Sequence, residues 1–289
     1  MATSHTAIGH PYVSGVTCNP VHAIEHVRRM RGGAQAQLMR CSDGHRYVVK
    51  FQNNPQDRRV LANELLGTLL ARLLALPTPT PAIVYVHDEL INVTSELYIE
   101  LPRSRTPFQP GPQFGSRYVF HPRTHAPVDY FPDALISQVH NLCDFAGMLV
   151  FDKWTCNTDG RQVLFPRYGL KYKAVMIDQG FCFNAGDWNF PDAPLRGRYC
   201  RTCVYDGING IDDFEPWLSK LENQIDEQAI WECAIGIPPE WYESDSVALA
   251  RLLDTLNRRR SRVRELLWSI RGCKDFLRMW IERTAVAAD

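Results

Sequence analysis

Apolar and polar positions alternate along this chain with two different periods. Between Arg58 and Leu76, leucines fall at 61, 65, 69, 73 and 76. That stripe predicts a helix with one buried face, ended by Pro77, Pro79 and Pro81. Upstream, Tyr47-Val48-Val49-Lys50-Phe51 is rich in β-formers and predicts a strand. The turn Cys41-Ser42-Asp43-Gly44 precedes it, so residues 37–51 read as strand, turn, strand. Residues 21–30 fit a strand or a short helix, and Ala82–Val86 a short strand. Proline and glycine punctuate 101–117, which reads as a linker between a β-rich half and a second half.

In the second half, Leu135 to Trp154 predicts a long helix, and Thr155–Gln162 a polar loop. Val163–Phe165 and Tyr172–Asp178 predict two strands around a Tyr-Gly turn. Residues 184–210 read as loops, and the chain from Ile211 onward as helical, with Arg258-Arg259-Arg260 on an exposed face.

Composition narrows the class. Of 289 residues, 45% are hydrophobic and 22% charged, which excludes a disordered chain and a long coiled coil. Lys+Arg and Asp+Glu both count 32, so no global basic field draws the chain to nucleic acid. No apolar run approaches the roughly 20 residues of a membrane span. The polar start, Met1 to Gly15, has no secretory pattern, so the expected location is cytoplasmic. Nine cysteines at irregular spacing read as loose thiols. Cys200 and Cys203 form half a zinc motif in an arginine-rich loop, and the expectation is no zinc there. The nine histidines show no metal-ligand spacing.

Candidate chemistry appears in one order. A small-residue loop holds Gly32 and Gly33; Lys50 ends a strand; Glu64 lies near the start of the next helix. Asn157-Thr158-Asp159 follows in a polar loop, and a hairpin ends in Ile177-Asp178-Gln179-Gly180. This is the order of a protein-kinase-like fold. Glycines let backbone N–H groups approach phosphate oxygens. Lys50 offers a compact cation to phosphates, and Glu64 would hold it in place. Asp178 offers hard oxygens to Mg²⁺. Asp159 would orient an acceptor hydroxyl and take its proton, and Arg161 would neutralise Asp159 or the γ-phosphate.

On these residues the chain resembles the HipA-like kinases, a bacterial branch of the protein-kinase-like superfamily. The matching stretches are Arg31–Gln35, Tyr47–Phe51, Asn63–Gly67, Phe114–Tyr118, Phe151–Trp154 with Asn157–Asp159, and Ile177–Gly180. The resemblance implies ATP and Mg²⁺ as cofactors. Gly32, Gly33, Gln35, Lys50 and Glu64 would bind ATP; Asp159 and Arg161 would be catalytic; Phe114–Tyr118 would lie near the adenine. It implies an α+β bilobal fold with a small β-rich N-lobe and a larger, mostly helical C-lobe. The expected divisions are a flexible arm over 1–19, an N-lobe over 20–112 and a C-lobe over 113–289.

The chain departs from the family at one point. Gly160 stands between Asp159 and Arg161, and Leu164 occupies the place of a second metal-binding amide. Gln162 is the nearest amide, so the metal pair becomes Asp178 and Gln162. The resulting expectation is γ-phosphate transfer to a hydroxyl on a protein or a small molecule, with an unidentified acceptor and room for a regulatory partner. Two other readings stay open. One is a nucleotide-binding pseudokinase or regulatory module with an impaired metal site. The other is a protein that binds nucleic acid or a partner toxin through Arg258–Arg264.

Overall fold

The computed structural model describes residues 21–120, 131–193 and 195–270. The arm expected over 1–19 and the end of the chain beyond 270 lie outside them. The N-terminal part is a closed five-stranded barrel in the order β1-β2-β3-β7-β4. Its strands are β1 (Val21–Arg29), β2 (Gln37–Cys41), β3 (Arg46–Lys50), β4 (Pro81–Val86) and β7 (Gly111–Arg117). Neighbours run antiparallel except at one seam, where β1 pairs parallel with β4 through Val21↔Val84 and His22↔Tyr85. Residues 21–30 are therefore a strand. Met39, Cys41, Val49, Phe51 and Val84 fill the interior with no exposed surface.

Between β4 and β7 the chain adds helix α2 (Asp88–Val93) and a hairpin of β5 (Tyr98–Leu101) and β6 (Ser104–Pro107). The stretch read as a linker thus holds β6 of this hairpin and the barrel strand β7. β7 pairs with both β3 and β4, and the division at 112/113 falls inside it. The sequence concealed this because β7, Gly-Pro-Gln-Phe-Gly-Ser-Arg, contains two glycines and a proline. Gly115 is needed there: a Cβ would sit 2.5 Å from the Val84 side chain. This close approach explains a glycine in mid-strand.

Helix α1 (Val60–Leu73) is buried along nearly its whole length, from Val60 to Ala71. Asn63, Glu64 and Thr68 are buried among its leucines. α1 separates the barrel from the second core, which it shares with α3 (Asp144–Thr155) and the C-terminal helices. α3 starts nine residues later than the apolar pattern predicts. His140 N–H donates to Tyr172 O at 3.0 Å, and Asn141 exchanges hydrogen bonds with Ala174. Those bonds bind 140–141 to a hairpin and leave the helix to begin after them. α3 ends at Cys156 in a left-handed conformation (φ +51°), which turns the chain into the Asn157–Asp159 loop.

Four short strands follow: β8 (Gln162–Leu164), β9 (Arg167–Tyr168), β10 (Lys171–Tyr172) and β11 (Val175–Ile177). β8 pairs with β11, and β9 with β10 as an extension beyond them. The C-terminal part carries α4 (Glu215–Asn223), α5 (Glu227–Glu232), α6 (Ser246–Arg259) and α7 (Val263–Ser269). The architecture is α+β, β-rich first and mostly helical after. Among the described residues no helix is long and apolar enough to cross a membrane.

The arginine cluster is only in part an exposed face: Arg258 and Arg262 are exposed, whereas Arg259 and Arg264 are engaged in the fold. Arg259 is 4% exposed; it donates to the carbonyls of Trp154 and Lys153 and pairs with Asp192 at 2.8 Å. Arg264 pairs with Glu215 and Glu222. These two guanidiniums tie α6 and α7 to α3 and α4, which leaves Arg258 and Arg262 as the exposed cations of the cluster.

Candidate active site

A cleft of about 350 Å³ lies between the barrel and the β8–β11 pair. Its walls bring together Gly32, Gly33, Lys50, Glu64, Asp159, Gln162 and Asp178, drawn from five separate stretches of chain. Val48, Phe114, Leu164 and Ile177 give it an apolar part.

Lys50 is the last residue of β3 and points at α1. Its ammonium donates to Glu64 Oε1, and to Asp178 Oδ1 at 2.8 Å. Glu64 is 2% exposed and also accepts the backbone N–H groups of Gln179 (3.0 Å) and Gly180 (3.1 Å). One glutamate thus fixes both the lysine and the chain after Asp178. Gly180 permits this approach, since a Cβ there would lie 2.9 Å from Val60 and 3.2 Å from Glu64 Oε1. Two carboxylates share one ammonium in a buried place. Burial pushes Glu64 up to about 7, against the pull of Lys50. Burial acts on Asp178 in the same direction, but Lys50 overrides it and holds Asp178 below the usual carboxylate range. For Lys50, burial lowers the pKa and the two carboxylates outweigh it, so the net direction is up.

The loop between β1 and β2 forms the cleft's roof. Gly32 adopts φ +119°, a conformation that excludes a side chain at little cost only for glycine. Gln35 also lines the cleft, but its amide is taken. It accepts from Arg29 and from Glu100 N–H (2.8 Å) and donates to Glu100 O (2.8 Å). Gln35 therefore ties the roof to the β5–β6 hairpin, and its side chain is not available to phosphate. Gln56, which the sequence pattern did not single out, lies beneath Gly33: a Cβ there would be 3.2 Å from its Nε2.

Asp159 is exposed at the cleft mouth. Its backbone N–H donates to Asn157 Oδ1 at 3.1 Å, and its Oδ1 accepts Gly160 N–H at 2.7 Å. Arg161 is placed differently from expectation. It neither faces Asp159 nor opens to the cleft. Its guanidinium is buried against Asp152, with Nε 3.0 Å from Asp152 Oδ2, and it donates to Ile177 O at 2.7 Å. Asn157 donates to the other oxygen of Asp152 at 2.9 Å. Asp152 thus gathers both ends of the loop that carries Asp159, and Arg161 passes that order to the strand before Asp178.

Gln162 stands opposite Ile177 in the β8–β11 register, one residue from Asp178. Leu164 pairs with Val175, further along the same face. The amide is therefore at the Asp178 end of the cleft, and the leucine extends its apolar floor.

Asn63, beside Glu64, was also overlooked. It is fully buried, its amide lies within 2.8–3.2 Å of the carbonyls of Gly180, Cys182 and Ala185, and it accepts from Trp188 Nε1 at 2.8 Å. The segment it holds contains five non-glycine residues at positive φ: Asp178, Phe183, Asn184, Ala185 and Trp188. Strain of this kind persists where the surroundings over-determine it. Gly67 completes the fit, with a Cβ position 2.8 Å from that of Gln179.

Cys200 is exposed and Cys203 half-buried. Among the described residues no three His, Cys, Asp or Glu side chains form a metal-binding group.

Comparison with known proteins follows this geometry. No curated protein matches the chain. Among solved structures it is similar to the Helicobacter pylori proinflammatory kinase CtkA, at 12% identity over 85% of this chain and 97% of that one, with a TM-score of 0.49. It is also similar to the Golgi casein kinase, at 15% identity over 88% and 75%, with a TM-score of 0.45. The HipA-like kinase family matches residues 23–165, which hold the glycine loop, Lys50, Glu64 and Asp159. Over those residues this chain is similar to the HipA-like kinases.

Proposed function

We propose that the protein transfers the γ-phosphate of ATP to a hydroxyl acceptor with the help of Mg²⁺. The observation that carries this reading is the position of Lys50, held by buried Glu64 and by Asp178 at one end of a cleft with an apolar floor. A cation fixed at both sides is pre-organised to receive phosphate oxygens. Backbone N–H groups of the Gly32–Gly33 loop would close over the same phosphates.

Asp178 keeps 24% of its side chain exposed, and Gln162 is exposed beside it. Two oxygen donors meeting in a wet cleft fit a hard cation that retains several waters. Mg²⁺ bound there would draw charge from the phosphate oxygens as the bond to the leaving group lengthens. Asp159 would accept the hydroxyl proton; its exposure at the mouth leaves room for an acceptor. Arg161 serves as a positioning residue in this reading, through Asp152 and the Ile177 carbonyl. The lobes divide after Arg117, where β7 leaves the barrel.

Leu164 favours a second reading, a nucleotide-binding module that does not transfer phosphate, because it removes an amide from the metal side. One experiment addresses both. Thermal unfolding with and without Mg-ATP should show a rise in Tm for the wild type and little for Lys50→Met. Asp159→Asn should keep that rise and lower γ-phosphate transfer by about 10²–10⁴-fold. No rise in the wild type refutes nucleotide binding. A rise with no transfer to any hydroxyl, including the protein's own, establishes the second reading instead.

A further inference from the structure

The β9–β10 hairpin takes no part in the cleft, yet it is built as a surface. Leu170 at its tip is 93% exposed and Tyr168 63%. Arg167, Lys171 and Lys173 surround them, and none forms an ion pair among the described residues; Asp144 is the carboxylate whose charge Lys173 influences. The cations are arranged by rings instead. The Arg167 guanidinium lies 4.5 Å from the Tyr172 ring centre, and the Lys173 ammonium 5.9 Å from that of Tyr168. His140 covers Tyr168 from 4.9 Å.

The hairpin is also tied to the core at its base. Val139 bridges Tyr172, His140 N–H donates to Tyr172 O, and Phe131 meets the Tyr172 ring edge-on at 4.8 Å. A pre-organised surface loses little entropy when a partner docks. Its charge is one-sided, and an exposed leucine beside it supplies an apolar anchor.

We propose that this hairpin docks an acidic polypeptide segment that carries an apolar side chain for Leu170. Charge complementarity selects the acidic partner. Stacked bases are disfavoured as occupants, because Arg167 and Phe131 already engage the Tyr172 ring and Tyr168 alone is too small a platform for a run of bases. The position gives such docking a consequence, since β9 and β10 interrupt the two strands that carry Gln162 and lead to Asp178. A partner seated there holds the floor of the cleft.

The test uses the full chain and a fluorescein-labelled peptide of Glu-Glu-Leu repeats, read by anisotropy. The wild type should bind it, Lys171→Glu should weaken binding about tenfold, and Leu170→Ser about threefold. Both positions are exposed, so circular dichroism and the Mg-ATP thermal shift should match the wild type in both variants. Equal binding by wild type and Lys171→Glu overturns the proposal. So does no binding by the wild type, or tighter binding of oligo-dT or phosphatidylserine vesicles than of the peptide.

Discussion

The carboxylate of Asp152 and the guanidinium of Arg161 face each other with no exposed side-chain surface on either. They lie nine residues apart, at the end of α3 and just past the Asp159 loop, and between them they fix that loop from below. Removing one partner from a buried pair leaves an uncompensated charge. Asp152→Ala should therefore cost about 3–5 kcal/mol of stability, read from urea unfolding. Asp152→Asn, which keeps the side-chain volume and one acceptor oxygen for Arg161, should cost less. A loss below 1 kcal/mol for Asp152→Ala would mean that the pair does not order the loop.

Asn63 makes a second prediction. Its amide is shared among three carbonyls of the segment after Asp178, and its oxygen receives the Trp188 indole. Asn63→Ala should destabilise the protein by roughly 2–3 kcal/mol. Limited proteolysis should find new cleavage between Gly180 and Trp188, because the strained backbone there loses its anchor. An unchanged cleavage pattern would place the restraint elsewhere, for example in Arg59, which donates to Gly186 O and stacks on Trp188.

The roof of the cleft separates two glycines. Gly32→Ala meets no neighbour within 4 Å, but its φ of +119° is unfavourable for alanine, at a cost of roughly 1–3 kcal/mol. Gly33→Ala meets only the mobile end of Gln56 and should stay within about 0.5 kcal/mol. The Mg-ATP thermal shift should fall in the first variant and persist in the second. The reverse order would show that the roof is not shaped by Gly32.

Glu64 sets a pH dependence. Its folded-state pKa is raised by burial from 4.5 to about 7. The folded protein therefore holds this proton more tightly than the unfolded chain does. Its contribution is fully present below 4.5 and is lost as pH rises through about 7. Relative to Glu64→Gln, which does not titrate, the wild type should lose stability across that interval. Parallel urea midpoints for the two proteins at several pH values test the sign, and parallel curves would refute it.

Parts of this arrangement are legible without coordinates because they depend on local pattern. The leucine stripe of α1 and the β-formers before Lys50 each occupy one continuous stretch with a clear period. Lys50, Glu64 and Asp178 are legible by type and order, since few residue classes suit a phosphate or a metal. Other features depend on distant neighbours. Nothing local shows that Arg161 turns away from Asp159, because Asp152 lies on the preceding helix and burial has no signature in a polar loop. The β5–β6 hairpin escapes notice because Ser104–Pro107 is exposed throughout and shows no alternation. β7 hides behind the glycine that lets Val84 approach. Asn63 resembles any polar helical residue until the carbonyls of a segment more than a hundred positions away surround it.

The parallel seam between β1 and β4 gives the barrel a mechanical property. Strands joined in a ring have no free edge along which to slide, so the ring does not splay as an open sheet does. Widening of the cleft is therefore not shared out along the strands. It falls instead on the segments where the chain passes between the barrel and the rest, residues 51–59 and 74–80 on either side of α1 and 118–120 after β7. A barrel closed in this way would shift only as a unit, and those segments would set how far the cleft could open.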